Sequence, residues 1–241
     1  MRRIRGSAFV SLDGVMQAPG GPSEDPTGGF QHGGWLPQFF DEDVGEAIDA
    51  FFGDQYDLLL GRRTYDIFAA YWPYVGGGET TGIGEMFDRT GKDDGEAAAI
   101  DMGEAFTRAN KYVLTRGSPD LGWSNSHRVG NLEELRAIKN GEGPDLLIQG
   151  SSTIYPALMA AGLLDELTLM TFPVSLGAGK RLFSDDSPAK AFRTVRHKIT
   201  RSGAVIATYE PAGQIEHGWA GPETSSEREK VRQAAMADGS W

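Results

Sequence analysis

The chain has 241 residues, 39% of them apolar and 24% charged, which suits one generous domain with a substantial core. Its formal net charge of −11 argues against nucleic-acid and anionic-membrane partners, which require a basic surface. The absence of cysteine excludes disulfides, thiolate zinc sites and a catalytic thiol, and the four scattered histidines lack ligand-like spacing, so no metal is expected.

The basic start Met1–Arg5 is followed by Ala8-Phe9-Val10, an apolar run too short for a signal peptide, and no segment approaches a membrane span. A cytoplasmic protein is expected. Ile4 to Leu12 reads as a first strand closed by Asp13-Gly14. A long Gly- and Pro-rich loop from Gln17 to Gly34 follows, a length that usually signals function or disorder. Asp41 to Phe52 has helical spacing, with Val44, Ile48, Phe51 and Phe52 on one side. Tyr56 to Gly61 is a buried strand, and Arg63 to Tyr71 a helix with Pro73 beyond its end. Residues 76–103 read as irregular, in the manner of a surface insertion. Lys111 to Leu114 is a strand, Leu132 to Lys139 a helix, Asp145 to Gln149 a strand, Ser151 to Ala161 a helix and Glu166 to Phe172 a strand. Phe192 to Thr200 and Ala204 to Tyr209 form a hairpin around Arg201-Ser202-Gly203. The alternation predicts an α/β fold with a mostly parallel sheet, helices on both faces and an antiparallel C-terminal hairpin. Residues 1–211 form the expected domain and 212–241 a polar tail. Ser226 and Glu229 are spaced as a capping box there, and Trp219 and Trp241 are candidate anchors.

Three strand ends carry candidate chemistry. Gly61-Arg62-Arg63-Thr64 follows a buried strand and opens a helix, where free backbone N–H groups and arginines attract an anion. The same residues also suit an ordinary strand-to-helix turn with solvated arginines. Gly150-Ser151-Ser152-Thr153-Ile154 is a second such turn, whose small side chains allow a phosphate close to the backbone or simply cap a helix. Thr115-Arg116 ends a third strand. In a parallel sheet these ends share one edge, where ligands bind, so the set suits a ligand with several phosphates.

Ser11-Leu12-Asp13-Gly14, Gly61-Arg62-Arg63-Thr64-Tyr65, the Gly150–Tyr155 turn and Pro173–Phe183 together resemble the superfamily of dihydrofolate reductase and the C-terminal reductase domain of the riboflavin-biosynthesis protein RibD, in its stand-alone bacterial form. The resemblance runs from about Arg3 to Pro211. It implies an NADPH-dependent oxidoreductase that transfers hydride to a C=N or C=O group of a small pterin-, pyrimidine- or sugar-like substrate. It is similar in this to dihydrofolate reductase and to 5-amino-6-(5-phosphoribosylamino)uracil reductase. A non-catalytic NADP-binding regulatory module of the same fold is the alternative. Under this resemblance Gly61, Arg62, Arg63 and Thr64 hold cofactor phosphates, Thr115 and Arg116 face the ribose 2′-phosphate, and Gly150, Ser151, Ser152, Thr153 and Ile154 wrap the pyrophosphate. Tyr155 lies near the nicotinamide and Asp13 near the reacting group, which makes both catalytic candidates. Trp35, Phe39, Tyr65, Trp72 and Phe172 are candidate substrate-pocket walls, and the 17–34 loop is a candidate lid. A homodimer is expected, from the family and from apolar surface at Leu167–Met170 and the closing hairpin.

Two departures bear on substrate. Phe39 stands where dihydrofolate reductases carry the pterin-binding carboxylate, with Asp41 off register. Val15 stands where RibD reductases carry a basic residue for a ribose phosphate.

Overall fold

A computed structural model of the chain describes residues 1–77, 84–218, 220 and 225–240. In chain order the strands are β1 (Ile4–Ser11), β2 (Tyr56–Gly61), β3 (Lys111–Leu114), β4 (Ser126–Val129), β5 (Asp145–Gln149), β6 (Glu166–Phe172), β7 (Phe192–Ile199) and β8 (Val205–Pro211). The helices are α1 (Glu42–Phe52), α2 (Arg62–Ala69), α3 (Gly84–Asp88), α4 (Gly95–Arg108), α5 (Leu132–Asn140), α6 (Tyr155–Ala160) and α7 (Glu227–Asp238).

The strands form one sheet in the order β4-β3-β2-β5-β1-β6-β8-β7. All neighbours from β4 to β6 are parallel, and β8 and β7 add antiparallel pairs at the far edge. The central strands are apolar without alternation because both faces are covered. Leu59, Leu146 and Ile148 pack with Leu135 of α5 and with Tyr155 and Leu158 of α6. Their neighbours Leu58, Leu60 and Leu147 pack with Phe51 and Phe52 of α1, Tyr65 of α2 and Phe106 of α4. Successive strand residues point to opposite faces, so these two clusters place helices on both sides.

Local sequence sets the helix ends. The Asp41 carboxylate accepts the Val44 N–H at 2.9 Å and starts α1; its other oxygen accepts the Ser202 N–H at 2.7 Å. Asn131 caps α5 through the N–H groups of Glu133 and Glu134, both at 2.9 Å. Ser226 accepts the Glu229 N–H at 3.2 Å and starts α7, but the Glu229 carboxylate turns to Arg232, so only half of the capping box forms.

Three expectations need correction, and one strand was missed. Of the stretch 76–103, residues 78–83 lie outside the described residues, and the rest is not an irregular insertion: α3 and most of α4 lie there, with Asp94 capping α4 through the Ala97 N–H. β4 was not foreseen; it is a short edge strand with one buried residue, Val129, and little apolar signal. The helix expected from Ser151 begins only at Tyr155, because residues 151–154 form a turn. Leu167 and Met170 offer no dimer surface, since β6 lies between β1 and β8 and buries both; the exposed apolar side chains of the hairpin are Val195, Ile199 and Val205. The expected anchors Trp219 and Trp241 lie outside the described residues. Among the described residues no helix is long and apolar enough to cross a membrane.

Candidate active site

A cavity of about 690 Å³ opens at the C-terminal edge of the sheet, where Phe9, Gly61 and Gln149 bring the ends of β1, β2 and β5 together. That volume is in the ordinary range for small-molecule sites, roughly 300–1,000 Å³. One wall is apolar, built by Ile48 and Phe52 of α1, Phe68 of α2, Trp72, and Met102 and Phe106 of α4. Another is polar backbone, from Gly150 to Thr153. The segment Met16–Asp25 covers a third side.

The two phosphate-type turns are tied together. Ser151 Oγ accepts the Gly61 N–H at 2.8 Å and donates to Thr64 Oγ1 at 2.7 Å. Gly150 and Ser151 both take positive φ, 82° and 65°, which turns the chain sharply after β5. As a result the N–H groups of Ser151, Ser152 and Thr153 make no hydrogen bond within the described residues. α2 likewise starts at Gly61 without a side-chain cap. Arg63 lines the cavity and has no ion pair among the described residues. Unpaired donors on this edge fit a phosphorylated ligand.

Gly61, Arg63, Thr64, Gly150, Ser151, Ser152, Thr153 and Trp72 therefore meet at one cavity. Ile154 is buried beneath it, close to Gly61. Arg62 turns outward and pairs with Asp66 at 2.7 Å. Thr115 and Arg116 do not line the cavity. They lie just beyond Leu114, which is paired with Gly61, so they extend the same edge outward.

The remaining aromatic expectations miss the cavity. Tyr65 faces the opposite side of α2, where its hydroxyl accepts the Trp123 N–H at 3.1 Å. Trp35 donates its indole N–H to the Gln17 carbonyl at 3.0 Å and so fastens the covering loop. Phe39 and Phe172 pack on each other behind the wall, with centroids 5.7 Å apart. Their neighbours Leu36 and Phe40 reach the cavity instead.

Neither catalytic expectation sits at the cavity. Tyr155 is fully buried, donates its hydroxyl to the Ser7 carbonyl at 3.0 Å and lies against Gly6, where a Cβ would come 2.6 Å from its ring. Burial pushes its pKa far up, so the phenol stays protonated. Asp13 accepts the Ser11 hydroxyl at 2.6 Å and the N–H groups of Leu176 and Gly177 at 3.0 and 2.7 Å. The Ser11 hydroxyl and then the Leu176 N–H hold its carboxyl down at about 2, the signature of a permanently ionised clamp on the 174–181 segment.

The covering loop is fastened at several points. Gln17 Nε2 donates to the Asp25 and Thr27 carbonyls, each at 2.9 Å, and its Oε1 accepts the Lys180 N–H at 2.9 Å. The Lys180 ammonium pairs with Asp25. Glu24, which the sequence reading passed over, lines the cavity from this loop. Its signal was faint, because an acid in a polar loop looks like any solvated charge. Among the described residues no group of three or more His, Asp or Glu side chains is placed to hold a metal ion.

Comparison with known proteins agrees with this architecture. A model of the RibD C-terminal domain matches residues 2–207. The uncharacterised protein YyaP of Bacillus subtilis is 25% identical over 213 residues, covering 86% of this chain and 94% of the relative. A candidate riboflavin biosynthesis protein from Shewanella sp. PV-4 superposes with a TM-score of 0.50 at 18% identity, over 88% of this chain and 99% of that one. Dihydrofolate reductase from Enterococcus faecalis, complexed with NADP(H) and RAB-propyl, does so with a TM-score of 0.50 at 15% identity, over 87% of this chain and 96% of that one. At such identities the two structures speak to the fold alone. With its parallel sheet, its antiparallel closing strands and a family match over nearly its whole length, this chain belongs to the RibD C-terminal domain family, on a dihydrofolate-reductase-like reductase fold.

Proposed function

We propose that the chain is an NADPH-dependent reductase that delivers hydride to a C=N or C=O group of a small, flat substrate. The observation that carries this is the convergence of two donor-rich turns, Gly61–Thr64 and Gly150–Thr153, with the unpaired Arg63, beside an aromatic wall in one cavity. The turns suit a pyrophosphate, and Thr115-Arg116 further along the edge suits the additional 2′-phosphate. When bound, the nicotinamide supplies the hydride, and the protein's work is to orient it and exclude water. Phe40, Phe52 and Phe106 provide the apolar surface against which a planar ring can lie. The Enterococcus relative's complex with NADP(H) supports the cofactor assignment.

Dihydrofolate is expected to be a poor substrate. Phe39 brings no carboxylate, and Asp41 is fully engaged as the α1 cap and the Ser202 acceptor. The test is NADPH oxidation against a panel of pterins, pyrimidines and aromatic aldehydes, with NADPH binding measured in parallel. Arg63→Ala should weaken NADPH binding by about 10–100-fold, the worth of a hydrogen bond to a charged group. Tight NADPH binding without turnover of any panel member would favour a regulatory binding module. Absence of NADPH binding would refute the assignment altogether.

A further inference from the structure

Reducing C=N or C=O by hydride leaves negative charge on the heteroatom, so some group must supply a proton. Asp13 cannot, being ionised and outside the cavity, and neither can Tyr155, buried in the core. Among the described residues three carboxyl groups line the cavity: Glu24, Asp25 and Asp49. Asp25 is ion-paired with Lys180 and accepts the Thr27 hydroxyl, and Asp49 is ion-paired with Lys92. Among the described residues Glu24 has no cation partner. Its Oε2 accepts the N–H groups of Gly20 and Gly21 at 2.7 and 3.3 Å, while Oε1 accepts no hydrogen bond from any described residue. The carboxyl is thus anchored through one oxygen and uncommitted at the other.

Resting on the reductase reading above, we propose that Glu24 is the proton-donating catalytic residue of this cavity. The substrate carbon gains a hydride, with its electron pair, from the C–H bond of the reduced nicotinamide, and the substrate nitrogen or oxygen gains the proton released from the Glu24 O–H bond. The cofactor is oxidised, the substrate is reduced by two electrons, and the Glu24 carboxylate is reprotonated from water. Burial, reinforced by the neighbouring charge of Asp25, raises the carboxyl's affinity for its proton, against the opposing pull of the two N–H donors. The other charged groups on the cavity wall are Lys180, Asp49, Lys92, Arg63 and Arg89. Of these Lys180 and Lys92 are paired with Asp25 and Asp49, so neither is free to ionise Glu24.

The test compares the wild-type chain with Glu24→Gln and Glu24→Asp. An amide oxygen can still accept from Gly20 and Gly21, so the glutamine variant keeps the turn but loses the transferable proton. The probes are benzaldehyde and 7,8-dihydropterin with NADPH, in single turnover across pH, together with NADPH affinity and a carbon-13 NMR titration of the carboxyl signal lost in Glu24→Gln. We expect unchanged NADPH affinity and a wild-type rate that rises as pH falls. In Glu24→Gln the rate should drop by about 10²–10⁴-fold and become flat with pH, with partial recovery in Glu24→Asp. The carboxyl should titrate above the ordinary glutamate range. Equal rates in wild type and Glu24→Gln, parallel loss of NADPH affinity, or an ordinary carboxyl titration would overturn the role of Glu24 alone. A wild type that binds NADPH but reduces none of the probes would overturn the reductase reading and this role with it.

Discussion

Asp13 and Glu24 show how two acids of one fold acquire opposite characters. Asp13 is surrounded by donors and stays charged, whereas Glu24 is half enclosed and holds its proton more tightly. Asp13→Asn should therefore act on stability rather than chemistry. It removes the charge that holds the Leu176 and Gly177 N–H groups, a loss of about 1.5–3 kcal/mol at neutral pH on the scale of charged hydrogen bonds. Because the folded pKa of about 2 lies below the ordinary 3.8, this stabilisation is present above pH 3.8 and fades as pH falls through 2. Urea denaturation of both proteins between neutral pH and pH 2 checks it; a deficit that stays constant down to pH 2 would contradict the clamp. At this scale the sequence misled in a consistent way. An Asp-Gly turn and a tyrosine beside a Gly-Ser turn are legible as residues near a site, but which way a side chain faces depends on packing. Tyr155 turns inward because Gly6 leaves room for its ring, a coincidence between distant segments that no local pattern records.

The elements that build the cofactor edge were the most readable part, since a buried apolar run ending in glycine marks both the strand and its exit. What could not be read was their cross-connection. Ser151 links the ends of β2 and β5, and its hydroxyl is the partner of the Gly61 N–H. Ser151→Ala should leave that N–H buried and unpaired and destabilise the chain by about 1–3 kcal/mol, with weaker NADPH binding. Ser151→Gly should cost less, because φ of 65° suits glycine. Equilibrium denaturation of both variants beside the wild type decides the matter, and an alanine variant as stable as the wild type would show that the link carries no weight. α4 and β4 escaped the sequence reading for different reasons. α4 opens on Gly95 after a polar acidic stretch, and its buried positions Gly95, Ala99, Gly103 and Phe106 include three small residues of faint apolar signal. β4 is a short edge strand that exposes His127 and Arg128.

Across the whole molecule, three apolar clusters hold the sheet and its helices, and the cavity opens between the segments that two of them support. The cluster of Val15, Trp35, Leu36, Phe40 and Val44 fixes the base of the covering loop, while that of Phe52, Phe68, Trp72 and Phe106 forms the cavity's aromatic wall. α7 buries none of its residues and stands apart from this arrangement. The overall class was legible because strand and helix periodicities alternate along the chain. The cavity was legible only in outline, because its walls come from segments that meet in space and not in sequence. The account turns on a phosphate-bearing nicotinamide cofactor at the Gly61 and Gly150 turns, with Arg116 further along the same edge. Isothermal titration of the intact chain with NADPH and with NADH tests it most directly: NADPH should bind distinctly more tightly, and Arg116→Ala should narrow the difference. Equal affinity of the wild-type chain for the two cofactors, or no binding of either, would contradict it.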